Sequence, residues 1–285
     1  MLLKNQKISQ WSDQYYNQIE RNIGYITFSE QEQLRVTPIA ILGVGGLGGP
    51  LAEQLVRSGC ENLVICDWDV FEESNLNRQI CSANDIGCYK VDVLEKYLIN
   101  INPQLKIKKY YNVLKTNISD LIKDCIVVAL ALDDPLTSII ISRECQVQNI
   151  PMIESWVIPC LWAWWFTKYS ISYEDCYGLN TQDLSIEQIE QSKLADLKSS
   201  DILFPKILEF PGVKEIYNRE NGVYEATISG EIGIRTIAPF VRLTASYLAL
   251  EIIFAGVLKT KPMILAPLVI GYDYFRMKPV QFTMI

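Results

Sequence analysis

Short apolar runs alternate with stretches of helical spacing between residues 38 and 155. Each run is bounded by turn-forming residues, which is typical of a strand. The predicted strands are Ile39–Leu42, Asn62–Cys66, Leu105–Tyr110, Ile126–Leu132 and one around Met152; the predicted helices are residues 50–58, Tyr89–Asn100, a short one near Asn117 and one after Pro135. Strands that alternate with helices predict an α/β protein with a doubly wound parallel sheet.

The pattern differs on both sides of this region. Residues 1–37 are polar and predict one or two surface helices, whereas residues 156–169 hold four tryptophans and predict a strand with an aromatic face. That face suits a core or a subunit interface, with a ligand-stacking platform as the alternative. Residues 180–201 have helical spacing, and residues 201–228 are expected to form an irregular surface excursion. Residues 237–258 predict a buried helix, because Arg242 and Glu251 would be costly inside a membrane.

The amino-acid composition excludes several kinds of catalytic site and metal site. The chain of 285 residues has no histidine, eight cysteines, 26 basic and 33 acidic residues, and a net charge of −7. The missing histidine excludes Ser-His-Asp and Cys-His catalysis and every His-ligated metal site. The acidic balance argues against general nucleic-acid binding. No two cysteines form a CxxC pair, so we expect no structural zinc, and the N-terminus lacks a signal peptide's apolar core, which favours a cytoplasmic protein with reduced thiols.

A glycine-rich turn links the first predicted strand to the first helix of that region. Gly43, Gly45 and Gly48 are spaced as G-x-G-x-x-G, and the second strand ends at Asp67. Glycines let the backbone approach a polyphosphate, helix N-terminal amides meet its charge, and a carboxylate at the end of the next strand can bind a ribose. The unit predicts a nucleotide site and leaves the nucleotide open, a nicotinamide cofactor included.

The segment after Asp67 favours a triphosphate. It carries Asn75, Arg78, Gln79 and Lys90 just beyond the carboxyl edge of the predicted sheet. Two cations neutralise the charge that builds on phosphates during displacement, and a dinucleotide enzyme gains little from them.

The segments GVGGLGGPLAEQLVRSG, ICDWDVFEESNLNRQ, DIGCYK and ININPQL closely resemble the ThiF/MoeB/HesA family, bacterial relatives of ubiquitin-activating enzymes. The resemblance is good over residues 20–155 and weaker around SYEDCYGL and IGIRTIAPFVRLTASYLALEII. It implies a Rossmann-like mixed sheet with an irregular C-terminal half. Residues 1–37 would then be an N-terminal helical segment, 38–155 the ATP-binding part, and 156–285 the substrate-binding and dimerisation part of the same domain.

The resemblance also implies an activity. Such enzymes use Mg-ATP to adenylate a carboxylate, usually the C-terminal glycine of a ubiquitin-like carrier protein; here a peptide is a further candidate. The implied catalytic residues are Arg78, Lys90, Asp133 and Arg21, with Asp133 binding Mg²⁺ and Arg21 entering the partner's site in a homodimer. The implied nucleotide-binding residues are Gly43, Gly45, Gly46, Gly48, Asp67, Asp69, Asn75, Arg78, Gln79 and Lys90.

Two departures from the family pattern affect these expectations. Asp134 stands where the family usually has Asn, so which of the two neighbouring carboxylates faces the metal stays open. Cys176 matches the first ligand of the zinc site found in many members, but its partner cysteines are absent. Cys176 is a candidate thiol nucleophile, although a structural remnant is the expected role.

Alternatives to carrier adenylation remain at this stage. One is a dehydratase or cyclase that activates a carboxylate on a small molecule, a peptide or a tRNA nucleoside. Another is a nicotinamide-dependent oxidoreductase, and a third is an inactive partner subunit that keeps only the fold. The retention of Asp67, Arg78, Lys90 and Asp133 together argues against the last.

Overall fold

A computed structural model describes residues 10–157, 160–192 and 199–285. Within them, eight strands form one sheet in the order β3-β2-β1-β4-β5-β6-β7-β8. The strands are β1 Ile39–Leu42, β2 Asn62–Cys66, β3 Lys106–Tyr110, β4 Val127–Leu130, β5 Met152–Glu154, β6 Cys160–Phe166, β7 Leu268–Asp273 and β8 Lys278–Thr283. Strands β1 to β5 pair in parallel, and β6 to β8 continue the sheet antiparallel. The predicted doubly wound mixed sheet is therefore confirmed.

Helices cover both faces of this sheet. They are α1 Asp13–Ile19, α2 Phe28–Val36, α3 Gly48–Arg57, α4 Lys90–Ile101, α5 Ile118–Ile122, α6 Pro135–Gln148, α7 Tyr173–Tyr177, α8 Ile186–Glu190, α9 Ser199–Leu208, α10 Val213–Tyr217, α11 Val223–Ile228 and α12 Ala238–Leu250. The predicted N-terminal helices are present as α1 and α2. They are not purely superficial, because Tyr15, Ile19 and Leu34 are buried.

The order of the parallel strands fixes where a ligand can bind. The chain runs outward from β1 to β2 and β3, then returns to place β4 on the other side of β1. The carboxyl ends of β1 and β4 thus lead into loops that diverge to opposite sides. Such a reversal of strand order opens a crevice at the carboxyl edge, where doubly wound sheets bind nucleotides.

The aromatic strand belongs to the core. Trp162, Trp164 and Trp165 of β6 are all fully buried. Trp162 packs edge-on against Phe210 and Phe282 on one face of the sheet, while Trp165 belongs to the core on the other face. For this strand the structure therefore supports packing in the core over a ligand-stacking platform.

The expectation of an irregular excursion over residues 201–228 was wrong. Three helices, α9, α10 and α11, occupy this region, and they bury Leu203, Ile207, Leu208 and Tyr217. Gly212 and Gly222 take positive φ at the N-caps of α10 and α11, so these glycines connect helices instead of marking a loop. Of residues 180–201, α8 is helical, and residues 193–198 lie outside the described part.

Residues 237–258 form a helix as predicted. Helix α12 is continued by a π-helical turn, Glu251–Val257, and Ala245, Leu248 and Ala249 pack into the core beside the sheet. Within the described residues, Ala238–Val257 is the one stretch long and apolar enough to cross a membrane by length and composition; 61% of its most apolar window is buried in the fold. A core helix passes the same test.

A partly buried ion pair holds the segment that follows β6. Arg143 of α6 donates through Nε and Nη2 to the two carboxylate oxygens of Glu174 in α7, at 3.0 and 2.6 Å. Arg143 also donates to the carbonyls of Thr181 and Leu184. One guanidinium therefore ties α7 and the following loop to the helix beside β4.

Arg143→Met should destabilise the protein by about 2–4 kcal/mol, because it leaves the buried Glu174 carboxylate without its cation. The free energy of unfolding in urea measures this. The matched control is Lys108→Met, which breaks an exposed pair with Asp124 and should cost less than about 1 kcal/mol. Equal effects of both changes would contradict the assigned role of Arg143.

Candidate active site

A cleft of about 350 Å³ opens at the carboxyl edge of the parallel strands. Its floor is formed by the ends of β1, β2, β4 and β5 and by the glycine-rich turn before α3. Residues from α9 and from the start of α12 close its other side. The cleft brings the predicted metal ligand Asp133 together with most of the predicted nucleotide-binding residues, namely Gly45, Gly46, Asp67, Asp69, Arg78, Gln79 and Lys90.

Two glycines shape the turn without lining the cleft. Gly43 has φ of +93°, and a Cβ there would lie 2.3 Å from the carbonyl oxygen of Ala131. A Cβ on Gly48 would lie 1.8 Å from the carbonyl oxygen of Gly43. Gly43 is thus needed for the fit against the β4 loop and Gly48 for the tight entry into α3, whereas Gly45 and Gly46 face the cleft.

Asp67 joins the second strand to the glycine-rich turn. Its Oδ2 accepts from the backbone N–H of Val44 at 2.8 Å, and its Oδ1 accepts from that of Asp69 at 2.9 Å. Burial raises the pKa of the Asp67 carboxyl, with the charge of Lys90 acting in the opposite direction. Each oxygen keeps a lone pair that can accept from a ribose hydroxyl.

Arg78 and Gln79 lie over the glycine-rich turn. Ideal Cβ positions on Gly46 and Gly45 fall 3.5 Å from Arg78 Nε and 3.6 Å from Gln79 Nε2. The guanidinium of Arg78 donates to two neutral oxygens, the Ser74 carbonyl and Asn77 Oδ1, and burial lowers its pKa. Its charge has no carboxylate partner within the described residues, so it can be neutralised by a phosphate.

Lys90 supplies the second cation. It is buried at the start of α4, and its Nζ lies 2.7 Å from Oδ2 of Asp69, whose side chain is about half exposed. This ion pair fixes the position of the Lys90 ammonium in the lining of the cleft. A triphosphate would compete with Asp69 for the same ammonium.

The structure distinguishes the two neighbouring carboxylates after β4. Asp134 caps helix α6, where its Oδ2 accepts from the backbone N–H of Thr137 at 2.7 Å. Asp133 lines the cleft. Burial raises the pKa of its carboxyl. Of the two carboxylates, Asp133 is therefore the one that lines the cleft, and its binding of a metal stays a prediction.

Besides Gly43 and Gly48, three further predicted residues lie outside the cleft lining. Asn75 closes a one-turn helix through its Oδ1, which accepts from the Glu72 N–H. Arg21 is exposed on the N-terminal segment. Cys176 is fully buried against Met284, and burial raises the pKa of its thiol to about 12, which makes it a poor nucleophile at neutral pH.

One ionisable residue of the cleft, Glu154, was not predicted from the sequence. Glu154 ends β5, lines the cleft and is only 2% exposed. The available signal was positional, since a carboxylate at the end of a strand in a doubly wound sheet lies at the ligand-binding edge. The prediction located this strand only approximately, around Met152, and did not consider its last residue.

Comparisons with known proteins agree with this geometry. A family model described as ThiF family matches residues 17–284. The chain is 39% identical over 95 residues to ubiquitin-like modifier-activating enzyme 5 of Bombyx mori, and the matched segment covers 33% of this chain and 24% of that protein. It is 29% identical over 143 residues to the SAMP-activating enzyme E1 of Haloferax volcanii, and that matched segment covers 48% of this chain and 53% of that protein. The chain thus spans about a quarter and about half of these relatives.

Solved structures share the fold along nearly the whole chain. PaaA superimposes with a TM-score of 0.68 and 18% identity, covering 98% of this chain and 86% of that one. MccB of E. coli, solved with ATP, superimposes with a TM-score of 0.67 and 18% identity, covering 96% of this chain and 73% of that one.

Gly48→Ala should destabilise the protein by about 3 kcal/mol and abolish ATP binding, because the new Cβ collides with the Gly43 carbonyl and displaces the turn. Urea unfolding and calorimetric titration with ATP measure the two effects. The control is Gly233→Ala, a change in the cleft lining at a position where a Cβ meets nothing within 4 Å. Unchanged ATP binding by Gly48→Ala would show that the turn is not the phosphate site.

Proposed function

The chain belongs to the ThiF family, and on that premise we propose that it uses ATP to adenylate the carboxylate of a protein or peptide substrate. The observation that carries the proposal is the meeting of the glycine-rich turn, Arg78, Lys90 and Asp133 in one cleft. No single one of these features specifies adenylation, but together they provide for a triphosphate and its metal.

In the proposed complex each group has a distinct task. Asp67 binds the ribose, and the backbone of Gly45 and Gly46 with the first amides of α3 receives the phosphates. Arg78 and Lys90 neutralise the charge that grows on the phosphates as they separate. A substrate carboxylate oxygen attacks the α-phosphorus, the bond from that phosphorus to the bridging oxygen breaks, and pyrophosphate leaves.

The residues present suit Mg²⁺ held mainly by the nucleotide. Within the described residues, no group of three or more Asp, Glu, Cys or His side chains is placed to hold a metal ion. Mg²⁺ is commonly bound by one or two carboxylates together with phosphates and water. Asp133 is positioned to provide that carboxylate, and the ion would screen the phosphates from the incoming anion.

The absence of histidine is compatible with this step. The attacking carboxylate is already an anion, so no side chain has to remove a proton from it. Catalysis then depends on placing the two reactants in line and on stabilising charge, which the cations and backbone amides of the cleft can do.

The relatives suggest the class of substrate. The sequence relatives are named as activating enzymes for ubiquitin-like modifiers and for SAMP, and MccB of E. coli has been solved together with MccA and an ATP analogue. We infer that this chain acts on the C-terminal carboxylate of a ubiquitin-like carrier or of a peptide. We also propose a homodimer in which Arg21, exposed and outside its own cleft, serves the partner's site.

Arg78→Ala and Lys90→Ala should each reduce carboxylate-dependent exchange between pyrophosphate and ATP at least about 100-fold, since each removes a charge that stabilises the separating phosphates. Radiolabelled pyrophosphate exchange with candidate carriers and with peptides ending in Gly-Gly measures this. Lys108→Ala, which removes an exposed cation outside the cleft, is the control and should exchange normally. Wild-type exchange rates in both cleft variants would refute the phosphate assignment.

The proposed role of Arg21 predicts complementation between inactive variants. Arg21→Ala and Asp67→Ala proteins should each be inactive, and mixing them should restore about a quarter of the exchange activity. Half of the dimers are then hybrids with one intact composite site. Mixing Arg21→Ala with the Arg21→Ala/Asp67→Ala double variant is the control and should restore nothing. Full activity of Arg21→Ala alone would sink the proposal, as would a lack of rescue when subunits exchange.

A further inference from the structure

A second pocket, of about 740 Å³, opens at the edge of the sheet opposite the cleft described above. It lies at the amino ends of β4 and β5, between the turn that follows β6 and the segment that joins the π-helical turn to β7. Strand β4 separates the two sites, because Leu130 at its carboxyl end lines the cleft and Ile126, just before its first residue, lines this pocket. A ligand in this pocket would therefore bind independently of the nucleotide.

The wall of this pocket is largely apolar. Ile150 is buried, whereas Ile126 keeps 46% of its surface exposed, and Met263 and Leu265 are partly buried. The volume lies within the range of about 300–1,000 Å³ that is usual for the sites of small ligands, and such sites are lined mainly by apolar groups with a few polar ones. Partly exposed aliphatic side chains in a concave surface gain free energy when a hydrocarbon covers them.

The charged groups in the lining all have the same sign. Lys123, Lys168 and Lys259 line the pocket, and its described lining contains no aspartate or glutamate, although the chain has a net charge of −7. Lys123 pairs with Asp120 on the exposed side of α5. Lys168 lies over the ring of Tyr169, and neither Lys168 nor Lys259 forms an ion pair with a carboxylate of the described residues. Two cations can therefore receive an anion at an apolar surface.

The backbone conformation of Lys259 is a further feature of this pocket. Lys259 follows the π-helical turn, an uncommon element that often lies at functional sites, and its φ is +56°. Glycine adopts this left-handed region without the steric cost that a lysine bears, and helices commonly end there with glycine or asparagine. Glycine would thus form the same turn more easily. What the lysine adds at this position is a cation in the lining of the pocket.

We propose that this pocket binds an aliphatic carboxylate, with Lys168 and Lys259 receiving the carboxylate and Ile126, Ile150 and Leu265 covering the hydrocarbon chain. Each half of such a ligand matches one half of the lining. A small hydrophilic anion would gain little from partly exposed lysines alone, and an uncharged hydrocarbon would cover the lysines without pairing them. The inference does not depend on the adenylation function.

Calorimetric titration with decanoate, below the concentration at which it forms micelles, tests the proposal. We expect one site with a Kd of about 10–100 µM, which corresponds to the burial of roughly eight methylenes at about fourfold in affinity each. Octanoate, which is two methylenes shorter, should bind about 15-fold more weakly. Decanol and decyltrimethylammonium should bind at least about threefold more weakly than decanoate, since neither offers an anion. Saturation with ATP should leave the affinity for decanoate unchanged.

Two substitutions test the two halves of the lining separately. Lys259→Gly removes a cation at a position that suits glycine, so the urea midpoint should stay nearly unchanged while decanoate binds about three- to fivefold more weakly. Ile126→Ser should weaken decanoate binding about tenfold, because less hydrocarbon is covered, and should leave ATP binding intact. The matched control is Met277→Gly. Met277 also has a positive φ, +52°, but lies outside the pocket, so this variant should bind decanoate like the wild type.

Several results would overturn the inference. One is a lack of saturable decanoate binding, and another is displacement of decanoate by ATP, which would place it in the cleft. A third is wild-type affinity for decanoate in both Lys259→Gly and Ile126→Ser. Binding to phosphatidylglycerol vesicles without binding of monomeric decanoate would assign the surface to a membrane. A dimer that dissociates in Ile126→Ser would assign it to a second copy of the chain.

Discussion

The close approach of backbone to backbone at the glycine-rich turn is the constraint on which the rest of the cleft depends. The Gly43 amide donates to the Cys66 carbonyl of β2, and the Ala131 amide donates to the Leu42 carbonyl of β1. Three strand ends thus meet within van der Waals distance of a residue that has no side chain. The same geometry brings the Asp67 carboxyl to the Val44 amide of the turn and leaves Gly45 and Gly46 in the cleft lining, so a single packing requirement shapes the site that we propose for the nucleotide.

The charges of the cleft are arranged around that fixed backbone. Arg78 rests on the turn with only neutral oxygens as partners, and Lys90 is held by an aspartate that remains half exposed. Neither cation is committed to a buried carboxylate, so binding a phosphate need not break a strong internal pair. By contrast, Arg143 is fully engaged by Glu174 and two carbonyls, which is what a structural cation looks like. The difference in partners separates the two kinds of cation more clearly than sequence position does.

The parts of the fold that local sequence determines were predictable, and those set by distant packing were not. The unit from β1 through α3 to β2 follows from an apolar run, a glycine spacing and a closing Gly59, all contained in one short stretch. The helices of residues 201–228 were missed because Pro205 and the glycines resemble loop signals, while their stability comes from burial against β6 and β8, which no local pattern reports. The choice between Asp133 and Asp134 likewise needed the structure, because capping of α6 is a matter of side-chain direction.

Different physical requirements act on the residues on the two sides of strand β4. Binding ATP requires the same backbone approach and the same cations whatever the acyl group is, so the residues around β1, β2 and β4 have little freedom. On the other side of β4, tryptophan and tyrosine rings of β6 and α7 surround the Glu154 carboxyl at the end of β5. The aromatic packing of Trp162 and Trp164 with Tyr173 and Tyr177 belongs to a core cluster separate from the one that holds Val44 and Leu47 of the turn, so it can change in shape without displacing the turn. Glu154 lies where the two regions meet, because it pairs with Leu130 of β4 and accepts a hydrogen bond from Tyr177 of α7, so a change in the aromatic packing would reach the cleft at this residue.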